Sequence, residues 1–229
     1  MSGYYIGILQ GSLTSVAVAL TSLVIAVVLG LLTAAARLSK RRSSVVIATV
    51  YATVMRGIPE LVLMLLVFYG GTVGLNQLLK MMGSTVSVDI NPFIAGVLTL
   101  GAIYGAYMSE TFRGAILAIP AGQAEAALAF GMSKRHVYLR IILPQMVRYA
   151  LPGFSNNWLV LIKATALVSL IGLQDMTYLA KQASAATRQP FVFLLFTGLL
   201  FLFFTSLSLW GLRQLNERYS LGSKQVVLL

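Results

Sequence analysis

From Ser12 to Ala36 the chain carries no charged residue and no proline. A helix needs roughly 20 apolar residues to cross a hydrocarbon core, and this run exceeds that. Lipid offers the backbone no hydrogen-bonding partner, so a run of this kind must satisfy its own amides as a helix. Four more long apolar runs follow: Leu61–Leu79, Ile90–Ser109, Leu151–Leu173 and Phe191–Leu212, and only Lys163 carries a charge within them. The stretch from Ser43 to Met55 is apolar too, but Arg56 arrives before it is long enough to span. It is either interfacial or the lead-in to the second run, punctuated by Gly57 and Pro59. With 58% hydrophobic and 10% charged residues, against about 25% charged in soluble domains, the chain reads as all-α, polytopic and integral to a membrane, in one domain over 1–229.

The charges give the orientation. Five spans place the termini on opposite sides. With the N-terminus outside, 13 of the 17 basic residues fall on inner segments, including Arg37, Lys40, Arg41, Arg42, Arg56, Arg113, Arg213 and Lys224. Only Lys80, Lys181 and Arg188 fall outside. The positive-inside rule therefore predicts N-out, C-in. The net charge of +11 belongs to this topology and not to nucleic-acid binding, because the cations sit at the ends of apolar runs and form no basic stretch interleaved with aromatics. The N-terminus lacks the basic flank and cleavage site of a signal peptide, so the first run is expected to stay in place.

Between the third and fourth runs, residues 113–150 form a basic island on the inner side. Glu125–Phe130 is alanine-rich and helix-forming. Gly131 suits the left-handed residue that closes a helix, and Ser133 suits the cap that opens the next. Pro144 is expected to stop that second helix. Two short helices in a loop have little to pack against on their own chain, which implies a partner.

Several chemistries are missing. There is no cysteine, and His136 is the single histidine, so thiolate and multi-histidine metal sites are ruled out. No G-x-x-x-x-G-K-[ST] phosphate loop occurs, so the chain is not expected to bind ATP itself. No catalytic residue, cofactor or metal is assigned. The chain is not expected to be an enzyme.

The spacing of Glu125, Ala126, Ala127, Gly131, Ile141, Leu143 and Pro144 resembles the EAA loop of type I ABC importer permeases, which are membrane subunits fed by a binding protein. Three further segments resemble the polar amino-acid branch of that family: Arg56-Gly-Ile-Pro-Glu60, Tyr104–Gly114, and Asn157–Leu170. Within that branch the likeness is to permeases for histidine and for lysine, arginine and ornithine, with arginine and opine permeases near to it, so a polar, basic amino acid or a related opine is the implied solute. The resemblance implies a MetI-like fold in a bacterial inner membrane. It also implies a heterodimer with a second permease, an ABC ATPase dimer that carries ATP and magnesium inside, a solute-binding protein outside, and surrounding lipid. In that setting residues 125–144 are the coupling helix, with Lys134, Arg135 and Arg140 available to acidic groups on the ATPase. A stand-alone channel or secondary transporter is the alternative, and the coupling motif argues against it.

Other polar residues carry two readings each. Glu60 follows Arg56 by four residues and Glu110 precedes Arg113 by three, so each is either half of a local ion pair or a carboxylate for a cationic substrate. Lys163 either snorkels or binds carbonyls at a helix break; its place in the resemblance implies a structural or gating role. Asp175, in an expected polar outer loop from Gln174 to Gln189, either meets the binding protein or solute or is merely solvated. Asn156, Asn157 and Trp158 line a path or glue helices together. Tyr4 and Tyr5 fit an interfacial belt.

Overall fold

The computed structural model describes residues 2–220; Lys224, counted above among the inner cations, lies outside the described residues. Five segments are long and apolar enough to cross a membrane: Ser2–Arg37, Glu60–Met81, Pro92–Leu117, Lys134–Ile171 and Pro190–Tyr219. Their order and number follow the sequence expectation, but most are longer than their uncharged cores.

The core is a parallel pair, α1 (Ser2–Arg37) and α5 (Pro92–Leu117). Along α1 the small residues Gly11, Ser15, Ala19, Ser22, Ala26, Gly30 and Ala34 recur every three or four positions, and all are buried. On α5, Gly101 and Gly105 face this stripe. A Cβ on Gly101 would stand 2.6 Å from Ile25, and one on Gly105 would stand 2.9 Å from Leu29. The register advances in the same direction on both helices, so the two run parallel, from outside to inside in the orientation that the charges predict. Lipid tails are as apolar as leucine, so helices associate through close backbone approach, and small residues permit it.

The helix α8 (Leu143–Ala164) crosses α5 in the opposite direction. Gly153 meets Thr111 near the inner end, where a Cβ on the glycine would stand 2.7 Å from the threonine side chain. Near the outer end Gly96 meets Val168, and a Cβ there would stand 2.8 Å away. The apolar stretch before Arg56 is α2 (Arg42–Gly57), packed on α1 and α5, with the Tyr51 hydroxyl donating to the Ala102 carbonyl at 2.6 Å. It is the lead-in, not an interfacial helix. The backbone turns extended at Ile58, as the residue before a proline prefers, and α3 (Glu60–Leu65) restarts the crossing. A π-turn (Leu66–Gly70) and α4 (Gly71–Met81) complete it.

Two expectations fail here. Pro144 does not stop a helix. The chain runs from α7 (Lys134–Val137) through a π-turn (Tyr138–Ile142) into α8, with Pro144 directly after the π-turn, a local widening that accommodates a proline inside a continuous helix. The helical segment that carries the fourth crossing therefore begins at Lys134, well before Leu151. The span Gln174–Gln189 is not a loop either. It holds α9 (Met176–Thr187), capped by the Asp175 side chain and packed on α1 and on α10 (Pro190–Ser220). Its alanines favour helix; its polar residues hid that. Tyr5 packs on Phe193 and Phe196 of α10, with ring centroids 5.3 and 5.0 Å away, so it joins two helices at the outer end.

Candidate functional site

The inner element is α6 (Ala121–Ala129) followed by α7. Its turn forms as the sequence predicts. Gly131 has φ +82°. The Gly131 amide donates to the Leu128 carbonyl at 2.9 Å, and the Met132 amide to the Ala127 carbonyl at 3.1 Å. These paired bonds satisfy carbonyls that a helix end otherwise leaves open. The Ser133 hydroxyl caps α7 through the His136 amide. A Cβ at position 131 would meet nothing within 4 Å, so the glycine is required by its backbone angle and not by close packing.

Ala127 and Val137 are the buried residues of this helix pair. Glu125, Ala126, Lys134, Arg135, Arg140 and Pro144 are exposed or half-exposed, and Ile141 and Leu143 are half-buried. Two features go beyond the sequence expectation. Phe130, at the tip, is 91% exposed; its place before the closing glycine was the available signal. Gln145 donates to Gln123 at 2.5 Å and to the Ile141 carbonyl at 2.9 Å. This amide ties α6 sideways to the start of α8. The element is thus an extension of the fourth crossing and not a free loop.

A second cluster lies deeper. Glu110 accepts from Arg37 of α1, from Arg56 of α2 at 3.0 Å, and from Arg113 of its own helix at 2.9 and 3.1 Å. The local pair with Arg113 was legible; the two long-range arginines were not. Among the described residues these three ion pairs converge on one carboxylate. Arg56 also lies 5.5 Å from the centroid of Tyr107, within cation–π range.

Glu60 does not pair with Arg56. The break at Ile58–Pro59 puts them on different helices, and Glu60 instead accepts from the Tyr104 hydroxyl at 3.0 Å. Tyr104 and Tyr107 have centroids 5.9 Å apart. A polar and aromatic track therefore runs from Glu60 through both tyrosines to Arg56 and Glu110.

The remaining candidates separate from this track. Asp175 is fully buried. It caps α9 through the Tyr178 amide at 2.9 Å and accepts from Ser15 of α1 at 3.4 Å, so it faces neither solute nor solvent. Burial pushes its carboxyl above the usual carboxylate range, opposed in part by those hydrogen bonds. Asn157 donates to Thr111 at 3.1 Å and holds α8 to α5. Lys163 is exposed just before α8 tightens into the 3-10 turn Thr165–Ile171. It has no hydrogen bond or ion pair among the described residues.

Comparisons with known proteins agree with this architecture. The family described as "Binding-protein-dependent transport system inner membrane component" matches residues 26–220. The chain is 48% identical over 221 residues to the histidine/lysine/arginine/ornithine transport system permease protein HisQ of Escherichia coli (strain K12), covering 96% of each. It is 38% identical over 206 residues to the octopine transport system permease protein OccQ of Rhizobium radiobacter, covering 90% of this chain and 87% of the relative. A crystal structure of an amino acid ABC transporter with histidines superposes with a TM-score of 0.80 at 28% identity, covering 95% of this chain and 96% of that one. The MetNI methionine ABC transporter, at 15% identity and TM-score 0.74 over 93% of this chain and 96% of that one, shares the fold. On the strength of this match and of the five-crossing architecture, the chain belongs to the inner-membrane permeases of binding-protein-dependent ABC importers, with a MetI-like fold.

Proposed function

We propose that this permease imports basic amino acids, that residues 121–144 dock onto its ATPase, and that the track from Glu60 to Glu110 borders the solute's path. The observation that carries the docking role is the exposed Phe130 tip on an element continuous with the fourth crossing. A push on α7 passes directly into the helix of the fourth crossing, and α6, across the Gly131 turn, is tied to the start of α8 by the Gln145 amide, as a rigid-body switch requires. Lys134, Arg135 and Arg140 supply cations around the tip for acidic ATPase groups. The ATPase dimer holds ATP and magnesium, a second permease subunit completes a heterodimer, and a solute-binding protein loads the outer face.

Support for a cationic solute comes from the relatives' named substrates and from a carboxylate and two tyrosine rings placed together. Carboxylates and π faces both attract guanidinium and ammonium groups. Glu60 is half-buried on this track and is the residue assigned to contact the solute. Asn157 and Lys163 lie on α8 away from this track, the first as a helix tie and the second as an exposed cation.

Two experiments test the reading. Gly131→Arg forces a side chain into a left-handed conformation that costs about 1–2 kcal/mol and adds bulk at the tip. Membrane insertion should persist while ATPase co-purification and uptake fall to background; normal uptake would overturn the docking role. Glu60→Gln should raise the KM for arginine and lysine uptake by at least about tenfold, as expected for a lost charged contact, and change neutral-solute uptake little. Equal effects on both solutes would remove Glu60 from the path.

A further inference from the structure

Among the described residues the longest stretch outside the helices is 82–91, which joins α4 to α5. It lies on the outer side in the orientation that the charges predict. Its sequence Thr85-Val-Ser-Val-Asp-Ile90 alternates polar and β-branched apolar residues, the pattern of a half-buried strand. No strand pairs with it among the described residues. The Asn76 side chain of α4 takes that place. Its nitrogen donates to the Val88 carbonyl at 2.9 Å, and its oxygen accepts from the Val88 amide at 2.8 Å. Ile90 packs on Gly71, where a Cβ would stand 3.1 Å from its side chain. The segment is thus fastened to the second crossing at two points.

Exchange of both N–H and C=O bonds by one residue is the pairing of an antiparallel ladder. In such a backbone the adjacent residues turn their groups the other way, so those of Ser87 and Asp89 face away from Asn76. The Val86 amide is held by the Ser84 hydroxyl at 3.2 Å, while the amides of Thr85, Ser87 and Asp89 have no partner among the described residues. All three residues are exposed. One edge is closed by Asn76 and the other is open, and an open edge is a template for a second chain. Beside it lies a polar hollow of about 390 Å³, lined by Thr72, Gln77 and Lys80 of α4 and by Thr85 and Ser87. Lys80 is exposed and has no hydrogen bond or ion pair among the described residues. Such a hollow suits a carboxylate and not an acyl chain.

The family to which the chain belongs depends on a binding protein, and that protein has to meet the outer side. The other outer connections between helices offer it less backbone: 172–175 ends on the buried Asp175, and 188–189 is a two-residue turn. We propose that residues 85–89 are a docking edge for the solute-binding protein, which adds an extended segment by backbone pairing and sets a carboxylate beside Lys80. Main-chain bonds supply affinity in this mode, and the adjoining pocket supplies specificity. Asn76 and Gly71 hold the edge in place beforehand, which lowers the cost of ordering it. The proposal rests on the importer reading and names the surface through which its outer partner acts.

The test uses the complete transporter in lipid nanodiscs, titrated with its binding protein loaded with arginine and read as stimulated ATP hydrolysis. Ser87→Pro removes one outward amide and restricts Val86 to the extended conformation the edge already needs. The half-saturating concentration of binding protein should rise about fivefold to tenfold, the scale of one lost hydrogen bond. Val86→Pro removes an inward amide instead and should change it little. Lys80→Gln should weaken the salt dependence of the titration. An unchanged titration in Ser87→Pro would overturn the docking edge alone, as would an equal rise in Val86→Pro. No stimulation of the unaltered complex would overturn the importer reading and the edge with it. A photo-crosslinker at Thr85 should capture the binding protein; capture of lipid or of a second permease instead would overturn the edge. If Ser87→Pro fails to assemble, the crosslink and Lys80→Gln decide.

Discussion

Two carboxylates stand at opposite ends of the bundle, and each fastens a neighbour to α1. Glu110, at the inner end, gathers three guanidinium groups from α1, α2 and α5 and remains 27% exposed at its side chain. Asp175, at the outer end, is fully buried and meets only neutral donors, among them the Tyr178 amide and the Ser15 hydroxyl. The first works by charge, in partial contact with water. The second works by hydrogen-bond geometry, and its own charge is a burden that burial imposes. Similar residues therefore differ in what disturbs them: salt at the inner end, shape and pH at the outer.

The contrast breaks most readily at Gly11. A Cβ there would lie 2.9 Å from the backbone of both Asp175 and Met176, so Gly11→Leu should drive α9 off α1. We expect a loss of more than about 3 kcal/mol, the upper range for overpacking, read as a large fall in the thermal midpoint of the purified complex. Gly7→Leu is the control, since a Cβ there meets nothing within 4 Å; an equal fall in both would deny the clamp.

Glu110→Gln comes next. It leaves three arginines facing one another, and the cost should be roughly 2 kcal/mol, between a surface pair and a buried pair broken on one side. Because the site is partly wet, the difference from the unaltered chain should shrink between low and high salt. A salt-independent loss would place Glu110 in the same physical class as Asp175.

The smallest effect concerns pH. An unfolded aspartate titrates near about 3.9, and burial raises Asp175 above that in the folded chain. The folded state thus takes up its proton at higher pH than the unfolded one. Stability from this group should rise as pH falls through the folded value and level off below about 3.9. Asp175→Asn keeps a capping oxygen and should abolish that slope, while Asp175→Ala should lower stability at every pH. A slope that persists in Asp175→Asn would assign it to another group.

How much of this was legible depends on range. The crossings follow from runs of uncharged residues, and the turn at Gly131 follows from a glycine and a serine at fixed spacing, because both are local constraints. The pair Glu110–Arg113 is local too. Arg37 and Arg56 reach Glu110 only through the packing of α1 and α2 against α5, and no spacing rule in one sequence encodes that. Asp175 misled for a related reason: a carboxylate among polar residues looks solvated until α9 folds and its first turn claims the oxygens. Pro144 misled because a proline reads as a stop, yet the preceding π-turn accommodates it inside a continuous helix.

That continuity has a mechanical consequence. The segment from Lys134 to Ile171 has 38 residues and at helical rise is about 55 Å long, while the hydrocarbon core it crosses is about 30 Å thick. It acts as a lever whose short arm projects beyond the membrane. A tilt of roughly five degrees about its buried middle moves one end about 5 Å relative to the other. Pro152, inside α8 and followed by Gly153 at the contact with Thr111, marks the point along that rod where it can bend.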